Sequence, residues 1–426
     1  MRDPDSFLRS SSLVKLLAAT LLAALAAGCG GGGGGGESGS SSSASAPTQS
    51  LTKTPAAPPV LASNAVAVTV DFGVIGVPNI PFVSVTLCVP GKTQCQTIDH
   101  VQVDTGSSGL RIFASQLPQS FVLPQQKDGA GNPLAECMQF FDGYIWGSVQ
   151  LADVLIGGEK AASLPVQVID PNYGAMPSDC SSLGASRNTP TSLAAKGVLG
   201  IGVFKRDCGP ACAQNALPAI YYGCGEGGCT SIAVAENLQV ANPIPYFATN
   251  NNGSILMLPA ASPSGETSLT GQLVFGIGTQ SNNGLGNTQV IGVDPSNGMF
   301  RTVQNGTSYA KSMIDSGSNG LFFQTSVLPI CASPNNSYYC PASTQQLSAM
   351  IEGVNGTTSA VSFNVGNGME LMQSRGDNAV MPLLAGPAFV TPTVFVWGMP
   401  FFYGRNVYAA VEQQSTPGGK GPYIAY

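Results

Sequence analysis

Charged residues are scarce in this chain of 426 residues: they make up 9% of the sequence, and there is a single His. The 17 Lys and Arg residues and the pI of ≈ 4.8 leave no cationic footprint of the kind that binds nucleic acid phosphates. The scarcity of Glu, Lys and Arg, combined with 53 Gly and 31 Pro, excludes a coiled coil or a long helical bundle. Because 43% of the residues are hydrophobic, disorder driven by charge is excluded as well.

The abundant residue types favour strands. Val, Ile, Thr and aromatic residues stand between frequent Gly, Pro, Asn and Ser turns, which predicts a mostly-β fold. The length allows two domains, each of which can bury its own core.

The N-terminus is typical of an export signal. Three basic residues precede an apolar run from Leu16 to Ala27, which is short for a bilayer span, and small residues lead to Cys29. We predict a signal peptide over residues 1–28 and a Gly/Ser/Pro-rich flexible tether over residues 29–63. Cys29 resembles the acylated Cys of a bacterial lipobox, which implies an exported protein anchored by lipid to the inner or outer membrane. An ordinary cleaved signal followed by a disordered tail is the alternative.

Ten Cys residues remain of the 11 when Cys29 is set aside, and an even number in an exported protein favours disulfides. Close pairs suggest stapled loops, although the spacing does not fix the connectivity: Cys88/Cys95, Cys208/Cys212, Cys224/Cys229 and Cys331/Cys340. Zinc binding by the four Cys residues between 208 and 229 is the weaker interpretation, because their spacing is irregular.

One short motif occurs twice and suggests the chemistry. Residues 103–113 read Val-Asp-Thr-Gly-Ser-Ser-Gly-Leu-Arg-Ile-Phe, and residues 314–323 read Ile-Asp-Ser-Gly-Ser-Asn-Gly-Leu-Phe-Phe. Asp104 and Asp315 are 211 positions apart (315 − 104), which indicates two similar lobes that each contribute one carboxylate. Two adjacent carboxyl groups share one proton, so one can act as a general base on water while the other polarises a carbonyl group.

With these motifs the sequence resembles the pepsin-like aspartic peptidases, and specifically a branch of uncharacterised bacterial lipoproteins. Gly197–Gly202 and Phe395–Gly398 resemble the apolar segments that thread through the two Asp loops of that family, and Asp142–Ser148 resembles its flap. The resemblance implies a bilobal, mostly-β acid-protease fold with an active-site cleft between an N-terminal lobe, residues 64–240, and a C-terminal lobe, residues 241–426.

The resemblance also implies the roles of individual residues. Asp104 and Asp315 would form the catalytic dyad, and an acid optimum would follow. Supporting roles fall to the residues next to them: Thr105 and Ser316 would cross-link the loops, Gly106 and Gly317 would donate N–H groups, and Ser107 and Ser318 would bond the outer carboxylate oxygens. The flap would comprise Phe140, Phe141, Asp142, Gly143 and Tyr144.

Three substitutions depart from the family pattern. The flap Tyr of most members falls at Phe140, with Tyr144 offset from it, and the usual flap Gly falls at Phe141. The Trp that commonly follows the first loop is replaced within the run Leu110–Phe113. These substitutions leave open a catalytically inactive protein that binds a ligand or has a structural role.

Other catalytic classes lack their residues. A Ser/His/Asp hydrolase would need His100, which has no nucleophile elbow to accompany it, and no phosphate-binding loop is present. We therefore expect an aspartic endopeptidase without metal or organic cofactor that cleaves extended polypeptides and touches the membrane only through its lipid anchor. The specificity and the oligomeric state stay open.

Overall fold

The computed structural model describes residues 61–182, 184–388 and 391–426, and strands are its main elements. The predicted signal peptide, Cys29 and the tether up to residue 60 lie outside these residues. The strands of the first part of the chain are β1 Ala65–Val70, β2 Pro81–Cys88, β3 Cys95–Asp104, β4 Ser108–Phe113, β5 Leu134–Phe140, β6 Gly143–Ile156, β7 Glu159–Ile169, β8 Gly197–Ile201, β9 Tyr221–Gly225, β10 Gly228–Ser231, β11 Gly253–Met257 and β12 Leu269–Phe275.

The remaining strands follow after residue 289. They are β13 Val290–Gly292, β14 Phe300–Gln304, β15 Thr307–Ile314, β16 Leu321–Phe323, β17 Gln345–Glu352, β18 Thr358–Val365, β19 Ala385–Gly386, β20 Val394–Trp397, β21 Asn406–Ala410, β22 Ser415–Thr416, β23 Gly419–Lys420 and β24 Tyr423–Ala425. The α-helices are short: α1 Ser178–Ser181, α2 Pro190–Leu193, α3 Pro210–Gln214 and α4 Gly368–Gln373. The described part of the chain contains no helix long and apolar enough to cross a bilayer.

Strands of the first part close into a barrel. The pairing runs from β2 through β3, β8, β4, β7 and β6, and β6 pairs with β2 again. Alternation along β2 shows why the sequence takes this form, because Val83, Val85 and Leu87 are buried while Ser84 between them is exposed. The strands β5, β9 and β10 extend this barrel from β6.

The second part repeats this pairing around its own Asp loop. Its separate sheet has the order β18-β17-β14-β15-β20-β16-β19, in which β20 lies parallel to β15 and antiparallel to β16. In the first part, β8 lies parallel to β3 and antiparallel to β4, and β7 flanks β4 as β19 flanks β16. The two similar β lobes that the repeated motif predicted are therefore confirmed, as is the mostly-β class.

Aromatic side chains fill the core of the second sheet. Phe395 stacks on Trp397 with ring centroids 4.3 Å apart and on Phe323 at 4.7 Å. The threaded segments predicted at Gly197–Gly202 and Phe395–Gly398 correspond to β8 and β20, so each Asp loop is held against a buried central strand.

A third group of strands joins the two lobes. The first strand, β1, pairs with β12 in the order β1-β12-β11-β21-β24-β13, with Ala65 opposite Val274. Residues 61–426 belong to one compact unit. The division of the lobes at residue 240 stays a prediction.

Five disulfides are formed. The four close pairs predicted from spacing are bonded, which rules out zinc binding by the Cys residues between 208 and 229. The fifth bond joins Cys137 in β5 to Cys180 in α1 across a separation of 43 residues.

Candidate active site

The first Asp loop lies between two buried strands. Asp104 ends β3 and is 7% exposed. Its Oδ1 accepts a hydrogen bond of 2.8 Å from the Gly106 N–H, and its Oδ2 accepts one from the Ser107 hydroxyl. Both carboxylate oxygens are therefore oriented by donors two and three residues ahead in the same loop.

The second loop has the same construction. Asp315 follows β15 and is 6% exposed. Its Oδ1 accepts from the Gly317 N–H at 2.8 Å, and its Oδ2 accepts from the Ser318 hydroxyl at 2.6 Å. The contacts expected of Gly106, Ser107, Gly317 and Ser318 are thus all present.

Reciprocal hydrogen bonds join the two loops. The Thr105 hydroxyl donates to Ile314 O at 3.0 Å and accepts from the Ser316 N–H at 3.0 Å. The Ser316 hydroxyl donates to Val103 O at 2.7 Å and accepts from the Thr105 N–H at 3.1 Å. Because all four bonds are buried, they fix the distance between the loops, and they involve the two residues to which the resemblance assigned a cross-link.

Each glycine of the motif faces the carboxyl group of the opposite loop. A Cβ on Gly106 would lie 2.6 Å from Asp315 Cγ, and one on Gly317 would lie 2.7 Å from Asp104 Oδ1. Any side chain at these positions would collide with the dyad, so the two carboxyl groups approach each other only because both positions are Gly.

The electrostatics of the pair are those of two acids in one buried site. Burial and repulsion by Asp104 raise the pKa of Asp315 to about 8, although the hydrogen bond from Ser318 lowers it. The resemblance implied an acid optimum, whereas burial, the largest effect on Asp315, raises its pKa. The pair therefore retains one proton toward neutral pH.

The predicted flap forms the end of a hairpin. Strands β5 and β6 pair from Ala135 opposite Ser148 to Phe140 opposite Gly143, and Phe141 and Asp142 make the turn. Phe141 and Met138 line a cavity of ≈ 60 Å³ together with Thr105, Phe204 and Met299. The hairpin therefore covers the Asp104 loop with apolar side chains.

Tyr144 does not take the place of the missing flap hydroxyl. Its side chain is 5% exposed and packs in a cluster with Trp146 and the Cys137–Cys180 disulfide. Phe140 belongs to the other face of the hairpin, where it packs near Met138 and Phe113. Tyr144 is paired with Gln139, the neighbour of Phe140 in β5, and successive residues of a strand point to opposite faces, so the phenol lies on the face opposite to Phe140.

The flap hairpin is bound along both edges. Strand β5 pairs with β9, and Tyr144 in β6 donates its N–H to Ala185 O at 2.9 Å and accepts from the Arg187 N–H at 2.8 Å. A Cβ on Gly143 would lie 2.2 Å from Ala185 O, and an ion pair of 2.8 Å joins Asp142 to Arg187. Sequence reasoning did not anticipate this attachment.

A buried ionic cluster behind the first loop was also missed. Arg111 contacts Glu136 Oε1 at 2.7 Å and Asp207 Oδ2 at 3.0 Å, and all three side chains are fully or almost fully buried. The available signal was a charged residue inside each of the apolar strands Ser108–Phe113 and Leu134–Phe140.

No group of three or more His, Cys, Asp or Glu side chains within residues 61–182, 184–388 and 391–426 is arranged to hold a metal ion.

Residues 60–426 match the family described as "Protein of unknown function (DUF3443)". The chain belongs to this family. No curated protein matches it by sequence. Among solved structures, the aspartic proteinase from Irpex lacteus is similar, with 15% identity, a TM-score of 0.44, and coverage of 85% of this chain and 96% of that chain.

Proposed function

We propose that this member of the family is an aspartic endopeptidase. The observation that carries the proposal is the pair of carboxyl groups, Asp104 and Asp315, each bonded by its own Gly and Ser and each facing the glycine of the other loop. Two acids fixed in this way share a proton, and this is the state that can activate water without a cofactor.

The reaction assigns a role to each carboxyl group. The ionised one accepts a proton from water, whose oxygen attacks the carbonyl carbon of the substrate, while the protonated one donates to the carbonyl oxygen. The carboxyl group that took the proton from water then gives it to the leaving amine as the C–N bond breaks, and a hydroxyl of the tetrahedral intermediate returns a proton to the other carboxyl group. The substrate in this proposal is an extended polypeptide that lies across the two Asp loops and pairs with the protein through its main chain.

Proteolysis by the full-length chain, produced in an oxidising compartment, tests the proposal. An unfolded, alkylated polypeptide would be incubated with it from pH 3 to 8, with and without pepstatin. We expect cleavage that pepstatin inhibits and that is lost in Asp104→Asn and Asp315→Asn. Asp377→Asn, which removes an exposed carboxylate of the same lobe, should retain it. Absence of cleavage by folded protein over the whole range would contradict the proposal.

A second candidate function is ligand binding by an inactive cleft. The attached flap and the absence of a hydroxyl at Phe140 favour it, because both limit the closure of a flap over a reacting bond. Under this alternative, a polypeptide ligand binds equally well to the wild type and to Asp315→Asn, and neither cleaves it.

We also propose that the protein is exported and anchored by lipid at Cys29 in the cell envelope. The Gly/Ser/Pro-rich stretch that follows Cys29 supports this, because it would separate the folded lobes from a membrane. Incorporation of labelled palmitate by the wild type and its loss in Cys29→Ser is the expected result. Equal labelling of the two would exclude this anchor.

A further inference from the structure

A fully buried ionic cluster lies directly behind the Asp104 loop. Its members are Arg111 of β4, Glu136 of β5, Asp207 after β8, and Tyr221 of β9. Arg111 donates to Glu136 and Asp207, and the Tyr221 hydroxyl donates to Asp207 at 2.8 Å. Burial of three ionisable groups without solvent is costly, so an arrangement of this kind needs compensation by dense hydrogen bonding.

Arg111 also holds the backbone of the loop. Its Nη1 donates to Ser108 O at 2.8 Å and to Gly109 O at 3.3 Å. Gly109 has φ +108°, and a Cβ there would lie 3.0 Å from Arg111 Nη1 and 2.6 Å from Val240 Cγ1. The chain therefore bends over the guanidinium group of Arg111 at Gly109, and only Gly fits this bend.

The other end of the cluster is part of the flap hairpin. Glu136 occupies the same face of β5 as Met138 and Phe140, because alternate residues of a strand share a face. Met138 lines the cavity beside Thr105. Arg111 is therefore the point at which the flap strand and the Asp104 loop are joined through side chains.

We propose that Arg111 is a positioning residue that holds the Asp104 loop in its reactive geometry and couples it to the flap strand through Glu136. As a role in the reaction, this inference rests on the proposed function. The contacts of the cluster are a property of the fold, so they can be tested even where no cleavage is seen.

The hydrogen bonds of the cluster bear on the protonation state of Glu136. Asp207 accepts from Arg111, and the single hydroxyl of Tyr221 lies within hydrogen-bond distance of both of its carboxylate oxygens. Among the described residues, Glu136 Oε2 has no hydrogen-bond partner, so an ionised Glu136 would leave a charged oxygen buried without a donor. Burial raises the pKa of Glu136 well above its usual range, with Asp207 acting in the same direction and Arg111 against it. The unpartnered oxygen and the burial therefore both favour the protonated form of Glu136.

Steady-state cleavage kinetics of the full chain provide the test where the wild type is active. We expect Arg111→Met to lower kcat by about 10- to 100-fold with KM within about threefold, because a displaced loop misaligns Asp104 in the transition state. Glu136→Leu should lower kcat in the same way. Glu136→Gln should retain most of the kcat of the wild type, because the amide has a donor and an acceptor as the protonated acid does. Arg375→Met is the matched control, since Arg375 also donates to two backbone carbonyl groups, at Ile75 and Gly76, outside the cleft.

Hydrogen–deuterium exchange separates this inference from the proposed function. In Arg111→Met we expect faster exchange in residues 104–113 and 134–140, and in Arg375→Met no change in either segment. A wild type that shows no cleavage, together with exchange that still responds in this way, would refute the proposed proteolytic function and would support the positioning of the Asp104 loop by Arg111. Exchange in Arg111→Met that equals exchange in the wild type would overturn the inference. A kcat of Arg111→Met equal to that of the wild type would overturn it as well, and so would a kcat of Glu136→Gln no higher than that of Glu136→Leu.

Discussion

Replacing Asp315 by Asn should make the protein more stable at neutral pH and should flatten the dependence of its stability on pH. The carboxyl group of Asp315 has its pKa raised in the folded state by burial and by Asp104, while in the unfolded chain it titrates near its ordinary value of 3.8. Between these two values the folded state binds more protons than the unfolded state. The contribution of Asp315 to stability is therefore fully present at low pH and is lost as the pH rises toward the folded pKa.

The magnitude follows from the proton balance. A difference of one bound proton changes the free energy of unfolding by about 1.4 kcal/mol per pH unit, so three units between about pH 4.5 and 7.5 amount to at most about 4 kcal/mol. Asn cannot ionise and so does not incur this loss. Its Oδ1 can still accept from the Gly317 N–H, and the Ser318 hydroxyl can turn to accept from the amide.

Urea unfolding curves at several pH values measure the effect, with the disulfides intact. Trp146 and Trp397 are both fully buried, so intrinsic fluorescence reports on each lobe. We expect Asp315→Asn and the wild type to be equally stable near pH 4.5 and to diverge as the pH rises, in favour of the variant. Asp377→Asn serves as the control for loss of an exposed carboxylate.

A second variant separates the two causes of the raised pKa of Asp315, which are burial and repulsion by Asp104. Asp104→Asn removes the repulsion but not the burial of Asp315, so its stability should depend on pH less than that of the wild type and more than that of Asp315→Asn. A difference between Asp315→Asn and the wild type that stays constant from pH 4.5 to 7.5 would refute the reasoning.

Three further changes test the loops and the flap. Thr105→Val leaves two buried backbone groups of the opposite loop unpaired and should lower the free energy of unfolding by about 2–4 kcal/mol in urea; no loss would contradict the role of the cross-link. Ser318→Ala removes a donor that favours ionised Asp315, so the folded pKa rises and the loss of stability should continue to a higher pH than in the wild type; a loss that ends at lower pH would oppose this assignment. The double variant Cys137→Ser/Cys180→Ser should exchange faster in β5 and lose about 2–4 kcal/mol of stability, and unchanged exchange would show that the pairings with β6 and β9 hold the strand without the disulfide.

The repeated motif predicted two similar lobes with one Asp loop each, and the resemblance implied the bonds within and between these loops. A short sequence of Asp, a hydroxyl residue and Gly after an apolar strand specifies a tight loop, and its second copy specifies that two such loops occur. The carboxyl, hydroxyl and N–H groups that bond within each loop are two or three residues apart, so their geometry is local. The mostly-β class followed from the composition, because Val, Ile, Thr and aromatic residues stand between frequent Gly, Pro, Asn and Ser turns.

The surroundings of the loops depend on contacts between distant residues. Arg111 meets Glu136 and Asp207 at separations of 25 and 96 residues, and the disulfide from Cys137 spans 43. A lone charge in an apolar strand indicates that a buried partner exists, but it does not identify the partner. The position of Tyr144 needed the register of the hairpin, because a shift of one residue moves a side chain to the opposite face.

The three substitutions in the flap and after the first loop become consistent when the buried cluster is included. A flap without a hydroxyl at Phe140 cannot be tied to the Asp104 loop by a phenol at that position, and the run Leu110–Phe113 contains no Trp to receive one. Arg111 and Glu136 make the connection one layer deeper instead, in a site closed to solvent. The hairpin end is then attached on its exposed side through Arg187. A flap held at its base and at its tip has a fixed position beside the Asp104 loop. In the proposed reaction, the chemistry would then depend on the geometry that the loops have before a polypeptide binds.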